Sequence, residues 1–179
     1  MSAPTVNLHS DTQTRPSEGM RRAMAAAEVG DEQRKLDPTV NRLQERVAEL
    51  LGHEAALFLP TGTLCNIIAT RLHMRPGGDE VLLHHSAHPF HAEAAGPATI
   101  SGATLHPLDG EGGIVEPATF EAAVHPPGDR YGPRTRLLWV EQTTNLAGGR
   151  VWPRETVRGV VDVARRHGLR ARIWTGPAS

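Results

Sequence analysis

From residue 38 onward, short apolar runs of strand length alternate with stretches whose apolar residues recur at helical spacing. This alternation constrains the fold more than any other property of the chain. Asp37 ahead of Pro38 reads as a side-chain cap followed by proline at the first helical position, where its missing N–H costs nothing. Val40, Leu43, Val47, Leu50 and Leu51 then mark one helical face, which Gly52 closes. Further helices are predicted over Met20–Val29, from Gly62 through Leu72, over Pro117–Val124 and over Pro153–His167. The last of these carries Val157, Val160, Val161 and Ala164 on one face. Strands are predicted at Ala55–Leu59, Glu80–Leu83, Thr104–Leu108, Leu137–Glu141 and Leu169–Trp174, with a loop entering a short helix between His84 and Gly96. The pattern gives an α/β class: a mainly parallel sheet flanked by helices. Ligands of such sheets collect beyond the carboxyl ends of the strands, where Thr61–Thr63, His84–His91 and Glu141–Asn145 are expected.

The stretch from Ala55 to Asn66 reads as an apolar strand, a tight Pro60-Thr61-Gly62-Thr63 bend and the start of a helix. Free N–H groups and the positive end of the helix dipole make such a bend an anion site suited to phosphate. Gly62 lets backbone approach a ligand closely, and Thr61 and Thr63 add hydroxyls; a plain helix cap without a ligand reads the same way. His84, His85, His88 and His91 are the densest group of candidate metal ligands. Pro89 disfavours the one continuous helix that would align them, so a histidine stacked on a flat ring is the preferred reading and no metal is expected. Glu141 to Asn145 can orient a ligand or simply end a strand. His9 to Pro16 is a polar segment or a solvated tail, and Asp109 to Gly113 is a turn.

A formal net charge of −1 gives no electrostatic case for nucleic acid or an anionic membrane surface. No apolar run approaches the roughly 18 residues that span a bilayer, and the first residues lack the pattern of a signal peptide. Cys65 is the only cysteine, which excludes an intrachain disulfide and suits a reducing, cytoplasmic compartment. Lys35 is the only lysine.

Taken together, these stretches resemble the threonine aldolase family of pyridoxal phosphate enzymes, within the β-eliminating lyase group. The resemblance rests on Leu8 to Pro16, Ala27 to Asp31, Asp37 to Leu43, Glu54 to Phe58 with Pro60 to Thr63, Ala87-His88 with Glu93 to Gly96, and Glu141 to Asn145 with Gly148-Gly149. It runs from about Asn7 to Gly168 in one order and with similar spacing. It implies the large domain of the fold-type-I (aspartate aminotransferase-like) fold and cleavage of threonine-type β-hydroxy-α-amino acids to glycine and an aldehyde. Gly62 and Thr63 would hold the phosphate of pyridoxal 5'-phosphate. His88 would stack on its ring near the substrate hydroxyl, Ser10 would help hold the substrate carboxylate, and Thr144 would stand at the substrate. The resemblance also implies a small-molecule amino acid substrate and a homo-oligomer. Another β-eliminating lyase or transferase of the same fold, or a non-catalytic fragment, are the alternatives.

Three departures from the family pattern bear on this. Thr144 stands where many members have histidine, and Arg34-Lys35-Leu36 replaces Tyr-Gly-Glu. After Gly168 the family continues toward His-Leu-Asp-Gly-Ala-Arg-Leu, whereas this chain reads Leu169 to Ser179 without that motif. A reading frame displaced near Ala171 can spell the family sequence, so a frameshifted, truncated gene is expected. On this reading residues 1–37 are an arm and a short helix, 38–168 part of the cofactor-binding large domain, and 169–179 a divergent tail. The lysine that bonds the cofactor aldehyde in the family would lie beyond the tail, Lys35 does not match it, and the chain alone is expected to be inactive.

Overall fold

A computed structural model describes residues 10–75 and 77–174, which leaves His9 and the end of the divergent tail outside the described residues. The chain divides into two compact units, one of residues 12–60 and one that contains residues 61–174.

In the first unit, α1 (Glu18–Ala25) starts where the Ser17 side chain accepts a hydrogen bond from Met20 N (3.2 Å). It begins and ends earlier than the alanine-rich pattern suggests. The second helix, α2 (Pro38–Leu51), matches its predicted bounds because both ends are chemically specified. Asp37 Oδ1 accepts from Thr39 N (3.0 Å) and Val40 N (2.9 Å), and Oδ2 accepts from Gly30 N (3.0 Å). The bond from Val40, then that from Gly30, holds the Asp37 pKa below the usual carboxylate range. At the other end Gly52 takes the left-handed conformation, φ 67°, that a side chain would resist.

The strand predicted at Ala55–Leu59 does not form. A strand needs a neighbouring ladder for its backbone, and none of the sheet pairings involves this segment. Phe58 N donates instead to the Gln44 side chain on α2 (2.9 Å), and Leu57 and Phe58 remain exposed.

The second unit runs α3 (Gly62–His73), β1 (Asp79–His84), α4 (His88–His91), α5 (Gly96–Ser101), β2 (Thr104–Leu108), α6 (Pro117–Ala123), β3 (Arg134–Glu141), α7 (Arg154–Arg166) and β4 (Arg170–Trp174). All four strands are parallel, in the order β2-β1-β3-β4. All six residues of β1 are buried, as a central strand covered on both faces requires. On one face Leu82, Leu138 and Val140 pack with Phe120 of α6 and Val160, Val163 and Ala164 of α7. On the other, Val81, Leu83, Leu137 and Trp139 pack with Met74, Ala87 and Ala103. Each fully buried valine, leucine or phenylalanine among them contributes roughly 1.5–3 kcal/mol.

The chain passes from β1 outward to β2, crosses back to β3, and continues outward to β4 on the other side. Its direction therefore switches between β1 and β3. Their carboxyl ends border the crevice where parallel sheets of this kind bind ligands. No helix of the described residues is long and apolar enough to cross a membrane.

Candidate cofactor and substrate site

His88 follows the carboxyl end of β1, and Glu141 ends β3, so the switch point brings them together. The buried Glu141 carboxylate spans it: Oε2 accepts from His88 N (2.8 Å) and Oε1 from Asn145 N (3.0 Å). Burial raises the Glu141 pKa, the two N–H groups oppose that shift, and the negative charge of Glu93 reinforces it.

The His88 side chain is fixed by Glu93, whose Oε1 lies 2.8 Å from Nδ1. A carboxylate can only accept, which assigns a proton to Nδ1; in the neutral imidazole the lone pair is then on Nε2. One face of the imidazole meets the Trp174 ring, 5.1 Å away and tilted by 35°. Glu93 Oε1 also accepts from Asn66 Nδ2 (2.5 Å), and Asn66 Oδ1 accepts from Arg172 (3.0 Å). Arg172 lies over the Trp139 ring at 5.0 Å. Its pKa is lowered by burial, against the opposing pull of Cys65 and Glu93. Two polar atoms of this buried network, Glu93 Oε2 and Arg172 Nε, have no hydrogen-bond partner among the described residues.

Asn66 lies on α3, one turn beyond Gly62 and Thr63, so the start of α3 is tied to His88 through a single carboxylate oxygen. At that start Thr61 Oγ1 accepts from Leu64 N (3.1 Å), and Thr61 O accepts from Cys65 N. The Gly62 and Thr63 N–H groups precede both. Open space lies where a side chain at Gly62 would stand, with no heavy atom within 4 Å. Free N–H groups beside that open space are the groups an oxyanion such as a phosphate requires. The predicted strand ahead of Thr61 is absent, so this end is positioned by the Asn66–Glu93–His88 chain and not by a strand terminus.

Thr144 is buried, and its hydroxyl oxygen accepts from Arg150 N (3.1 Å) and lies 3.3 Å from Gly112 O. A side chain at Gly113, where φ is +83°, would come within 2.8 Å of Thr144, so glycine closes that turn. Ser10 is half-buried, directly ahead of the 3-10 turn Asp11–Gln13. The other histidines of the 84–91 group have separate partners. His84 donates through Nε2 to Gly110 O (3.0 Å) and accepts from Ser86 N (3.0 Å) at Nδ1; burial lowers its pKa. His85 meets Asp109, and His91 meets the His85 carbonyl. Sequence reasoning placed Glu93 in a family motif without giving it a role and assigned no role to Asn66, Arg172 or Trp174; the last two belong to the tail that departs from the family pattern.

The model of the beta-eliminating lyase family matches residues 7–173. The chain belongs to the beta-eliminating lyase family. Within it, the chain is 42% identical over 173 residues to a probable low-specificity L-threonine aldolase 2 of Arabidopsis thaliana, covering 94% of this chain and 48% of that protein. It is 40% identical over 168 residues to the low specificity L-threonine aldolase of Escherichia coli K12, covering 94% and 49%. The chain thus spans about half the length of the relatives it matches. A threonine aldolase structure from Leishmania major has the same fold, with a TM-score of 0.72 at 22% identity, covering 86% of this chain and 44% of that one. A beta-eliminating lyase/threonine aldolase structure from Exiguobacterium gives 0.71 at 18%, covering 89% and 44%. The parallel sheet with its flanking helices is therefore part of the fold-type-I architecture expected from the sequence.

Proposed function

We propose that this chain carries the phosphate-binding and ring-binding part of a pyridoxal phosphate-dependent aldolase. The reaction is cleavage of threonine-type β-hydroxy-α-amino acids to glycine and an aldehyde. One observation carries the proposal: Asn66, on the helix that begins at Gly62-Thr63, and His88 share Glu93 Oε1, at 2.5 and 2.8 Å. The helix assigned to the phosphate end and the histidine assigned to the ring end of one cofactor are thereby held to each other by a buried carboxylate, as a preorganised site requires. The 40–42% identity to threonine aldolases supports the choice of reaction.

Gly62 and Thr63 would hold the phosphate and His88 the ring, with Ser10 and Thr144 toward the substrate. The cofactor, when bound, supplies the electron sink for breaking the Cα–Cβ bond. The protein moves the proton: His88, anchored through Nδ1–H, presents Nε2 to accept it from the substrate hydroxyl. Glu141 keeps the His88 backbone at the crevice, and Glu93 fixes the imidazole. The only lysine, Lys35, lies in the other unit as the exposed left-handed residue after a 3-10 turn. Lys35 does not match the position of the family's Schiff-base lysine, so we take cofactor binding by these 179 residues to be noncovalent. We place the enzyme in the cytoplasm, in keeping with a single cysteine, and as a homo-oligomer, a reading supported by exposed Leu43, Leu50 and Leu51 on α2.

Titration of the purified chain with pyridoxal phosphate, followed by the cofactor absorbance, tests this. Saturable binding is expected, weakened at least about ten-fold (~1.4 kcal/mol) by Gly62→Val and by His88→Ala. Borohydride treatment should leave Lys35 unmodified by mass, and the chain alone should release no glycine from L-threonine. Absence of saturable binding, or equal binding by both variants, overturns the assignment of the site.

A further inference from the structure

At the amino end of the sheet, roughly 13 Å along β1 from the site above, three ligand-type side chains from three separate elements converge. They are Glu80 of β1, His106 of β2 and His125 of the segment between α6 and β3. Glu80 Oε2 lies 3.1 Å from His106 Nδ1, and Oε1 lies 2.5 Å from His125 Nδ1. The carboxylate is buried and both imidazoles are partly buried. We propose that these three residues bind a zinc-class divalent metal ion.

The first argument concerns charge. A buried carboxylate needs a counter-charge. The neighbouring Asp79 points to the opposite face of the strand and takes Arg134 (2.8 Å) and Arg136 (3.7 Å). Among the described residues the ion-pair partners of Glu80 are the two imidazoles alone. A cation held by all three groups would supply that counter-charge.

Preorganisation supports the cation. The register between β1 and β3 shifts at Glu80/Val81, so that Thr135 sits opposite Glu80 and Leu137 opposite Val81, with Arg136 as the extra residue. The shift aims the Thr135 hydroxyl at Glu80 Oε1 (2.6 Å), and Thr135 Oγ1 in turn accepts from His125 N (3.0 Å). A ligand oxygen oriented by a hydroxyl is the usual outer layer of a metal site. Both histidines precede proline, Pro107 and Pro126, which holds each backbone extended.

Spacing is compatible as well. Zinc bonds of about 2.0–2.2 Å separate tetrahedral ligands by roughly 3.3 Å. His106 and His125 meet different oxygens of Glu80, at 3.1 and 2.5 Å, and one ligand atom from each of the three residues lies within 4.8 Å of the others, so rotation of the side chains would bring them around one ion. Two imidazoles and one carboxylate suit zinc or a neighbouring divalent ion, with a water in the fourth position. Such an ion would tie β1, β2 and the α6–β3 connection together as a structural centre.

The test uses the full chain, freed of any affinity tag and of metal, titrated with Zn2+ in calorimetry and with Co2+ in absorbance. One equivalent per chain and the ligand-field bands of tetrahedral Co2+ are expected. His106→Ala and His125→Ala should each weaken Zn2+ binding at least ten-fold, and Thr135→Val about ten-fold. His85→Ala and His91→Ala should leave it unchanged. If a variant fails to fold, the melting temperature of the unaltered chain decides: it should rise with Zn2+ and fall back with chelator. No stoichiometric binding, or binding that survives in the His106→Ala/His125→Ala double variant, overturns the proposal.

Discussion

Glu141 and Glu93 are both buried carboxylates at the switch point, and they do different work. Glu141 accepts backbone N–H groups at the starts of two separate helical turns, whereas Glu93 takes two side chains on one oxygen. Burial leaves the Glu141 pKa raised in the folded chain relative to its ordinary value. The folded state therefore binds the proton more readily than the unfolded state. The associated stability is fully present below the ordinary value near 4.3 and is lost as pH rises through the raised one. Urea midpoints of the chain and of Glu141→Gln, measured from pH 4 to pH 8, should show the unaltered chain gaining on the variant toward acid. A difference that stays constant with pH would refute this account. Glu141 was legible in the sequence as the polar end of an apolar strand. Glu93 was legible only as part of a family motif; its role was not, because its partner Asn66 is 27 positions away.

Among the elements, the turn between α4 and α5 is the most constrained. Ala94 and Ala95 have φ of 48° and 58°, a left-handed conformation that costs a residue with a Cβ about 1–2 kcal/mol. This backbone turns Glu93 inward and lets α5 start at Gly96, where a side chain would strike Ile67 Cδ1 of α3 at 2.5 Å. Ala95→Gly relieves the steric cost and gives back part of it as freedom of the unfolded chain. A net gain of about 0.5–1 kcal/mol is expected in thermal or urea unfolding. A loss of stability would show that the left-handed backbone is not a source of strain. Helix α2 could be read from sequence because its capping carboxylate, its proline and its closing glycine all lie within its own span. The Ala55–Leu59 strand could not, because an apolar run specifies a strand only if a ladder exists to receive it.

At the scale of the whole molecule, burial is unequal between the two units. Among residues 12–60 only Asp37 and Ala48 are fully buried, whereas β1 and most of β3 are enclosed on both faces. Local opening is easiest where few apolar groups are lost to water. Hydrogen exchange by mass spectrometry should therefore find the slowest amides in Val81–Leu83 and Leu137–Val140, and fast exchange through 12–60. Comparable protection in both would contradict the burial argument. The sequence by itself determined the parallel α/β class, the bounds of α2, the places of α7 and the four strands to within about three residues, and the family, because these rest on periodicity, capping and motif order along the chain. It also marked Gly62, Thr63 and His88 as one end and the other of a cofactor site, through resemblance. Only the tertiary structure decided that α3 is tied to His88 by Glu93, and that Arg172 and Trp174 close on the same network. It alone brought Glu80, His106 and His125 together at the opposite end of the sheet. Those placements depend on strand order and on which face each residue presents, and neither is written in any local stretch of sequence.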